Sequence, residues 1–474
     1  MNDKKQQIAA QKPNIILINV DDLGYADVGC YGSKKNKTPV IDRMAQEGLL
    51  FTDFYAPAPV CTPSRAGMLT GCYPKRIDFG EFGVYDYREP DEPKDHFVVL
   101  MPGQPEGLNP NEKTIASILK DAGYHTAAIG KWHVGDQPEF LPTQFGFDYY
   151  YGLPYSNDMG LQTASGRLKE LEYTLCPLPL MENDRIIDEQ PDTAALTENY
   201  TREAIRFIYQ NRAAPFFLYL AHSYIHHPLF VPEHFKKQSQ NGDLGAAIAE
   251  IDWSLDRIQY ELRKLNLEEN TLIIFISDNG GDERSDNSPL RGFKGSVWEG
   301  GQRVNCIMKW PAIIPAGTRC SEITSMMDFF PTFAEIAGIT ETDTVIRDGY
   351  SLLPLMCSPN CGKTLYHAFY YYHKNELLAV RSGRYKLHIL SGELYDLEND
   401  IGEKCNLAAS RPDLVDTLLY LANCAREGMG DARTGSIGKN CRSKGFVHNF
   451  KPLTFFDPDA PYMTALYDID DYNA

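Results

Sequence analysis

Four apolar runs divide the chain, and polar or charged residues follow each of them at once. The runs are residues 14–20, 124–129, 215–221 and 271–276. Continuous apolar runs of this length predict strands that are buried on both faces of a parallel sheet. Segments with helical periodicity lie among them, at residues 40–47, 113–122, 198–211 and 244–265. This alternation predicts a doubly wound, mostly parallel α/β sheet.

The sequence pattern changes after residue 356. A linker at 357–363 precedes short strand patterns at 366–372, 377–381 and 385–389 and a helix at 412–426. We therefore expect two domains, a large α/β domain at 12–356 and a smaller C-terminal α+β domain at 364–474 that carries an antiparallel sheet. Two stretches rich in glycine with proline or aromatic residues, 79–107 and 145–160, are predicted to be loops.

The charge and hydropathy of the chain argue against several functions. Its 474 residues carry a formal net charge of −18, which argues against nucleic-acid binding and against a long groove for polyanions. No apolar run approaches the roughly 18 residues of a membrane span. Residues 1–11 are polar and contain no apolar signal core. We expect either a cytoplasmic protein or an exported one whose signal is absent from this chain, and we favour export.

The number of cysteines restricts their pairing. The chain has 11 cysteines, so at least one is unpaired in a monomer, and Cys61 is our candidate. Cys357 and Cys361 are close in sequence. They could form a disulfide, bind a metal or remain two thiols.

The polar residues that follow the apolar runs are expected to meet. In a doubly wound sheet the carboxyl ends of the parallel strands face one crevice, where ligands bind. The residues placed there are Asp21, Asp22, Lys131, His133, His226, Asp278 and Asn279.

Four of these residues offer hard oxygen ligands, which suit Ca²⁺ or Mg²⁺ better than Zn²⁺. They are Asp21, Asp22, Asp278 and Asn279. The alternative is that they cap the helices that follow the strands, a common role for Asp and Asn. Three carboxylates in one crevice would repel each other without a cation, so we predict a metal site.

Residues 61–71 are predicted to form a loop that runs into a helix. Thr62 is the expected N-cap, Pro63 suits the first helical position, and Gly71 is the expected stop. Cys61 would then precede a helix N-terminus, where free backbone N–H groups favour anions, with Arg65 on the same side. The alternative is a buried structural cysteine and a surface arginine.

The order Cys61-Thr62-Pro63-Ser64-Arg65, followed by Leu69-Thr70-Gly71, resembles the signature of type I sulfatases, which belong to the alkaline phosphatase superfamily. Further segments are similar to motifs of that family, and the resemblance covers about residues 13–408. These segments are Gly130-Lys131-Trp132-His133, His226-His227-Pro228, Gly292-Phe293-Lys294-Gly295 and Glu299-Gly300-Gly301. Phe293 departs from the pattern, because glycine is commoner there.

The resemblance implies a mechanism. A formylglycine-generating enzyme would oxidise Cys61, and the formylglycine hydrate would be the nucleophile, beside Ca²⁺ held by the four oxygen ligands. Arg65, Lys131 and Lys294 would stabilise charge on the sulfuryl group. His226 would act as the acid with Lys294, with His227 as the alternative, and His133 would be the base that expels sulfate.

The resemblance also suggests a substrate. Residues 152–158 resemble arylsulfatases and N-acetylgalactosamine-6-sulfatase, and Ser156, Asn157 and Asp158 are predicted substrate contacts. His373 and Lys374 are further candidates, although all of these could be ordinary loop residues. We expect exo-acting release of sulfate from galactose or N-acetylgalactosamine. The alternatives are a phosphonate monoester or phosphodiester hydrolase of the same superfamily and a non-catalytic Ca²⁺-dependent carbohydrate-binding protein, which would need no Cys61.

Overall fold

The computed structural model describes residues 11–88, 90–161, 176–340, 344–359, 362–457 and 459–462. Strand β1 (Asn14–Val20) lies inside its largest sheet, and all seven of its residues are buried. Ile15 and Leu17 face one hydrophobic core, whereas Ile16 and Ile18 face the other. An uninterrupted apolar run is therefore needed, because both faces of the strand are covered.

Among the described residues, eleven strands form this sheet. After β1 they are β2 (Leu49–Tyr55), β3 (His125–Gly130), β4 (Tyr149–Gly152), β5 (Pro179–Glu182), β6 (Arg185–Glu189), β7 (Phe216–His222), β8 (Thr271–Ser277), β9 (Arg303–Lys309), β10 (Thr318–Cys320) and β11 (Thr324–Ser325). Their order is β10-β2-β9-β8-β1-β7-β3-β4-β5-β6, and β11 also pairs with β2. The stretch from β8 to β4 is parallel, as predicted for the centre of the sheet.

Helices cover both faces of the large sheet. One face packs against α1 (Pro39–Glu47), α4 (Leu196–Asn211) and α6 (Gly242–Lys264). The other packs against α2 (Cys61–Thr70), α3 (Ile115–Asp121), α8 (Phe329–Ala337) and α9 (Leu353–Cys357). Two short helices, α5 (Glu233–Lys236) and α7 (Glu299–Gln302), lie in the connections. Helices on both faces of the sheet confirm the predicted doubly wound arrangement.

No helix in the described ranges is long and apolar enough to cross a bilayer.

The predicted antiparallel C-terminal sheet is also present. It consists of β12 (Phe369–His373), β13 (Glu376–Ser382), β14 (Tyr385–His388) and β15 (Glu393–Asp396), paired in that order. Helix α10 (Pro412–Met429) packs on it through Leu418 and Ala422. Further along, Gly445–Phe446 pairs with Glu106–Gly107, so the C-terminal segment returns to the large-sheet half of the molecule.

Two predicted loops are only partly loops. Residues 79–107 contain the paired strands Phe82–Val84 and Asp95–Phe97, and Phe79 is fully buried. Residues 145–160 contain β4, which extends the parallel stretch of the sheet. Glycine and proline suggested a surface loop, but the aromatic side chains among them pack into the core and fix the backbone.

Candidate functional site

The ends of two neighbouring strands bring the predicted acidic residues together. Strands β1 and β8 are parallel, and Val20 lies opposite Ser277. The residues that follow, Asp21 and Asp22 on one strand and Asp278 on the other, place one carboxylate oxygen each within 4.8 Å of one another. All three side chains are buried.

The donor set at these strand ends fits a hard divalent cation. Within the described part of the chain, Oδ1 of Asp21 and Oδ1 of Asn279 are buried and have no hydrogen-bond partner. The Asn279 amide donates to Asp22 Oδ1 at 2.7 Å and to the Gly280 carbonyl at 2.9 Å, which leaves its oxygen as a ligand. Burial and the Asp21 carboxylate raise the pKa of Asp278. A Ca²⁺ or Mg²⁺ ion would satisfy the free oxygens and offset this repulsion.

Helix α2 starts earlier than predicted. It begins at Cys61, with Val60 as the N-cap residue, so the predicted N-cap role of Thr62 is wrong. The Thr62 hydroxyl instead accepts a hydrogen bond from the Leu100 N–H at 3.2 Å. Pro63 is tolerated as the third helical residue because the N–H groups of the first turn have no partner within the helix. Gly71 ends the helix as predicted, at φ 72°.

Arg65 and Lys131 bring positive charge to the buried carboxylates. Arg65 Nε donates to Asp278 Oδ2 at 2.9 Å, and its Nη1 donates to the Lys131 carbonyl at 2.7 Å. Lys131 Nζ donates to Asp21 Oδ2 and, at 3.0 Å, to Ser156 Oγ. Burial alone would raise the pKa of Asp21, but Lys131 and Arg65 outweigh it and hold that pKa below its ordinary value. Arg65 is therefore a buried part of the site and not a surface residue.

His133 lies beside Cys61 as a neutral base. Its Nδ1 is 3.3 Å from the Cys61 sulfur, and its Nε2 is 3.1 Å from the Leu100 carbonyl. A carbonyl can only accept, so Nε2 carries the proton and Nδ1 offers a lone pair to residue 61. Burial, with the charges of Lys131 and Arg65, lowers the pKa of His133.

Lys294 and His226 approach the site from the side of Asp22. Lys294 Nζ donates to Asp22 Oδ2 at 2.7 Å, and His226 Nε2 lies 3.7 Å from the same oxygen. His226 Nδ1 is 2.6 Å from the His227 carbonyl, so Nδ1 is the protonated nitrogen and Nε2 faces the site. His227 instead faces Asp282, with Nδ1 at 3.3 Å from Oδ2.

The predicted substrate contacts occupy different environments. Ser156 is bound to Lys131, as described above. Asn157 is buried, and its amide donates to the carbonyls of His226 at 3.4 Å and Pro228 at 3.1 Å, so it supports the loop of the histidine. Asp158 is half-buried next to it. His373 is the last residue of β12, and Lys374 lies in the turn to β13. Burial lowers the pKa of His373 to about 4.

Sequence reasoning missed two supporting groups. The Leu100 carbonyl fixes the tautomer of His133, and the Ser64 hydroxyl donates to the carbonyl of Asp278. Ser64 stands inside the stretch 61–65, so its position could have indicated a role. No sequence pattern could indicate Leu100, because its contribution is a backbone oxygen.

Comparisons with known proteins identify the family of the chain. The family model described as Sulfatase matches residues 13–339, and the model described as N-sulphoglucosamine sulphohydrolase, C-terminal, matches residues 293–418. Human arylsulfatase A is 34% identical over 462 residues, which cover 87% of this chain and 87% of that protein. N-acetylgalactosamine-6-sulfatase from Canis lupus familiaris is 36% identical over 397 residues, covering 80% of this chain and 72% of that protein.

Solved structures share the architecture. The structure of Ps i-CgsB in complex with k-i-k-neocarrahexaose has a TM-score of 0.74 at 32% identity and covers 87% of this chain and 92% of that one. The PsFucS1 sulfatase from Pseudoalteromonas sp. has a TM-score of 0.75 at 26% identity, covering 89% and 92%. Since the family model spans most of the chain and each of these relatives covers at least 80% of it, the protein belongs to the sulfatase family and is an arylsulfatase-like hydrolase with an alkaline phosphatase-like fold.

Proposed function

We propose that this chain releases sulfate from a sulfated carbohydrate, with a formylglycine hydrate derived from Cys61 as the nucleophile. The observation that carries the proposal is the pairing of residue 61 with a neutral histidine base, His133 Nδ1, at 3.3 Å. Burial raises the pKa of the Cys61 thiol, so an unmodified Cys61 would be a poor thiolate nucleophile. Oxidised and hydrated, residue 61 supplies two hydroxyl groups on one carbon, one to attack sulfur and one to lose a proton when sulfate departs.

The charged side chains stabilise the group in transfer. Lys131 and Lys294 lie close enough to Cys61 to lower its pKa against the effect of burial, and Arg65 follows Cys61 by one helical turn. Their positive charges stabilise the negative charge on the sulfuryl oxygens in the transition state. Asp21, Asp22, Asp278 and Asn279 would hold Ca²⁺, or Mg²⁺, and a divalent cation there supplies further positive charge to the same oxygens.

Proton transfer is divided between two histidines. His133 accepts the proton of the second hydroxyl through Nδ1, so that the C–O bond to sulfate breaks and the aldehyde forms again. For this step His226 must be the imidazolium, with one proton on Nδ1, bound to the His227 carbonyl, and a second on Nε2. Nε2, with Lys294 beside it, then delivers its proton to the alcohol oxygen as the S–O bond of the ester breaks. The maturation enzyme that would oxidise Cys61, and export of the chain, stay predictions.

A single terminal sugar is the substrate that best suits the acidic net charge of the chain and the small cationic centre. The net charge of −18 disfavours a long polyanion groove. Ser156 lies at the cationic centre through its hydrogen bond with Lys131, and we infer that Asp158, two residues on, contacts the sugar. Phe293 is 43% exposed directly before Lys294, where it would offer an aromatic face to a sugar ring. Asn157 acts through the His226 loop. The relatives named N-acetylgalactosamine-6-sulfatase support galactose or N-acetylgalactosamine as the sugar.

A panel of sulfate esters tests the proposal. We expect sulfate release from terminal galactose or N-acetylgalactosamine sulfates and from aryl sulfates, with slower release from internal positions of an intact polymer. Glucosamine sulfates and phosphonate monoesters are the controls. The phosphonate monoester hydrolase of Agrobacterium radiobacter shares the fold at a TM-score of 0.61 and 20% identity, which carries no substrate information. Activity confined to glucosamine sulfates would contradict the sugar assignment, and preference for phosphonates would contradict the reaction.

A further inference from the structure

The loop that carries Lys294 is fastened at both ends to the C-terminal sheet region. Arg291 Nη1 donates to the Glu403 carbonyl at 2.8 Å, and the Glu299 N–H donates to the Glu403 carboxylate at 2.8 Å. Between these ends, the Arg291 guanidinium lies 3.6 Å from the centroid of the Trp298 ring. That ring lies 4.0 Å from the ring of His388, on β14. One glutamate beyond β15 therefore holds residues 291–299.

Glu403 belongs to a group of buried charges between the two sheets, which we call the inter-sheet charge cluster. Lys386 Nζ lies 2.9 Å from Glu299 Oε1 and 3.1 Å from Glu403 Oε1. Asp53 on β2 accepts from Arg303 at 2.8 Å and from Arg381 at 2.7 Å. The cluster consists of Asp53, Glu299, Arg303, Arg381, Lys386 and Glu403, all of which are buried. Three positive charges balance three negative ones.

Such a cluster restricts geometry more than it adds stability. Burying ions is costly, and the attraction between them compensates only when every partner is in place. Glu299 also accepts hydrogen bonds from Tyr371 Oη, at 2.8 Å, and from Tyr55 Oη, one from each sheet. The backbone around Glu299 is thus fixed by groups of both sheets.

The fixed backbone reaches the reaction site directly. The Gly280 N–H, two residues after Asp278, donates to the Gly301 carbonyl at 3.0 Å, and a Cβ on Gly280 would lie 1.8 Å from the Gly300 oxygen. The Lys294 N–H donates to the Gly281 carbonyl at 2.9 Å. Any shift of residues 299–301 would therefore move Lys294 relative to Asp22.

We propose that the inter-sheet charge cluster positions Lys294 for charge stabilisation, with Glu403 and Lys386 as its positioning residues. The inference rests on the proposed function for its kinetic consequences. It assigns the C-terminal sheet region a part in catalysis through its contacts with the loop that carries Lys294. Because Lys294 lies beside His226 at Asp22, misplacing it should matter most when the leaving alcohol is poor.

The kinetic test compares Glu403→Gln with Glu398→Gln. Glu398 is 65% exposed and pairs at the surface with Arg384 at 2.6 Å, so it is the matched control. For Glu403→Gln we expect kcat on a sulfated galactose to fall by about tenfold or more with KM nearly unchanged, and a smaller fall on 4-nitrophenyl sulfate. In a Lys294→Ala background, Glu403→Gln should lower kcat on the sulfated galactose by less than about threefold, because both substitutions act on the contribution of Lys294. Equal falls in kcat on both substrates, or additive effects of Glu403→Gln and Lys294→Ala, would overturn the inference.

A second measurement does not depend on turnover. Hydrogen exchange followed by mass spectrometry should become faster in residues 291–301 of Glu403→Gln and stay unchanged in β3 and in Glu398→Gln. If Glu403→Gln does not fold, Tyr371→Phe removes one hydrogen bond to Glu299 and should give the same pattern more weakly. Unchanged exchange in 291–301 would overturn the inference. A wild-type enzyme that releases no sulfate from any ester would instead overturn the proposed function.

Discussion

Cys61 and His133 face each other at 3.3 Å, with the lone pair of Nδ1 directed to residue 61 because Nε2 is bound to the Leu100 carbonyl. Residue 61 is the first residue of α2, and His133 follows β3, so helix and sheet geometry together set this distance. His133 has a positive φ of 65°, a conformation that costs energy outside glycine and is kept here by the surrounding contacts.

His133→Ala should separate the two halves of the reaction. Attack on sulfur would still occur, but nothing would remove the proton that expels sulfate, so the enzyme should accumulate with one sulfate attached. We expect turnover to fall by roughly 100- to 10,000-fold, the usual contribution of a general base. Intact-protein mass spectrometry after mixing with substrate detects the added sulfate. Full loss of turnover without any added mass would contradict the assignment of His133 to the second step.

Metal removal should affect both activity and stability. A cation bound only by the folded protein stabilises it by about 2.7 kcal/mol at a hundredfold excess over Kd. Chelation should therefore lower the Tm and abolish sulfate release, and added Ca²⁺ should restore both. Asp22→Asn, which keeps the shape of the side chain, should weaken both responses. An identical Tm and full activity in a metal-free preparation would contradict a cation at Asp21, Asp22, Asp278 and Asn279.

The leaving group should distinguish His226 from His227. An activated aryl sulfate hardly needs a proton on its leaving oxygen, whereas a sugar sulfate does. His226→Ala should thus reduce kcat/KM for the sugar sulfate much more than for 4-nitrophenyl sulfate. His227→Ala is the matched control, since that ring faces Asp282, and it should lower both rates alike. If the pattern is reversed, His227 is the acid.

A prediction away from the site concerns Glu250 on α6. Burial and the nearby Glu198 raise the pKa of Glu250 from 4.5 to about 8. The folded state therefore binds this proton more tightly than the unfolded state, and stability is lost as pH rises from about 4.5 to about 8.

Glu250→Gln removes that dependence. At pH 8 we expect the free energy of unfolding to increase by on the order of 2 to 4 kcal/mol, with a smaller change at pH 5. Urea unfolding at the two pH values measures it. Glu198→Gln, at an exposed position, is the control and should have a weaker effect of the same sign. A variant with the same pH dependence as the wild type would contradict the account.

The sequence predicted the parts of the fold that depend on long uniform patterns. Strand β1 is recognisable because both of its faces are buried. Strand β2 was not recognised because Thr52 and Asp53 interrupt its apolar run, and the reason for Asp53 is distant in sequence: it pairs with Arg303 and Arg381. Short strands β4 to β6 give too few residues for a period to be visible.

In the site, too, residues that follow long apolar strands were predictable, whereas contacts between residues distant in sequence were not. Asp21 and Asp278 could be placed together because each follows an apolar strand of the same sheet. The predicted N-cap role of Thr62 was wrong, because a threonine before a proline is typical of a cap but the helix already begins at Cys61. The Thr62 hydroxyl instead accepts a hydrogen bond from the Leu100 N–H. Contacts made by backbone atoms, such as the Leu100 carbonyl on His133, leave no trace in the sequence.

The most direct test of the account is to compare turnover with the oxidation state of residue 61. Preparations made with and without a co-expressed formylglycine-generating enzyme would differ in the fraction of aldehyde, which mass spectrometry of the peptide that contains residue 61 measures. We predict that sulfate release per molecule rises in proportion to that fraction and extrapolates to zero without aldehyde, and that Cys61→Ser completes no second turnover. Full, repeated turnover by protein that carries only the Cys61 thiol, or by Cys61→Ser, would contradict the central claim.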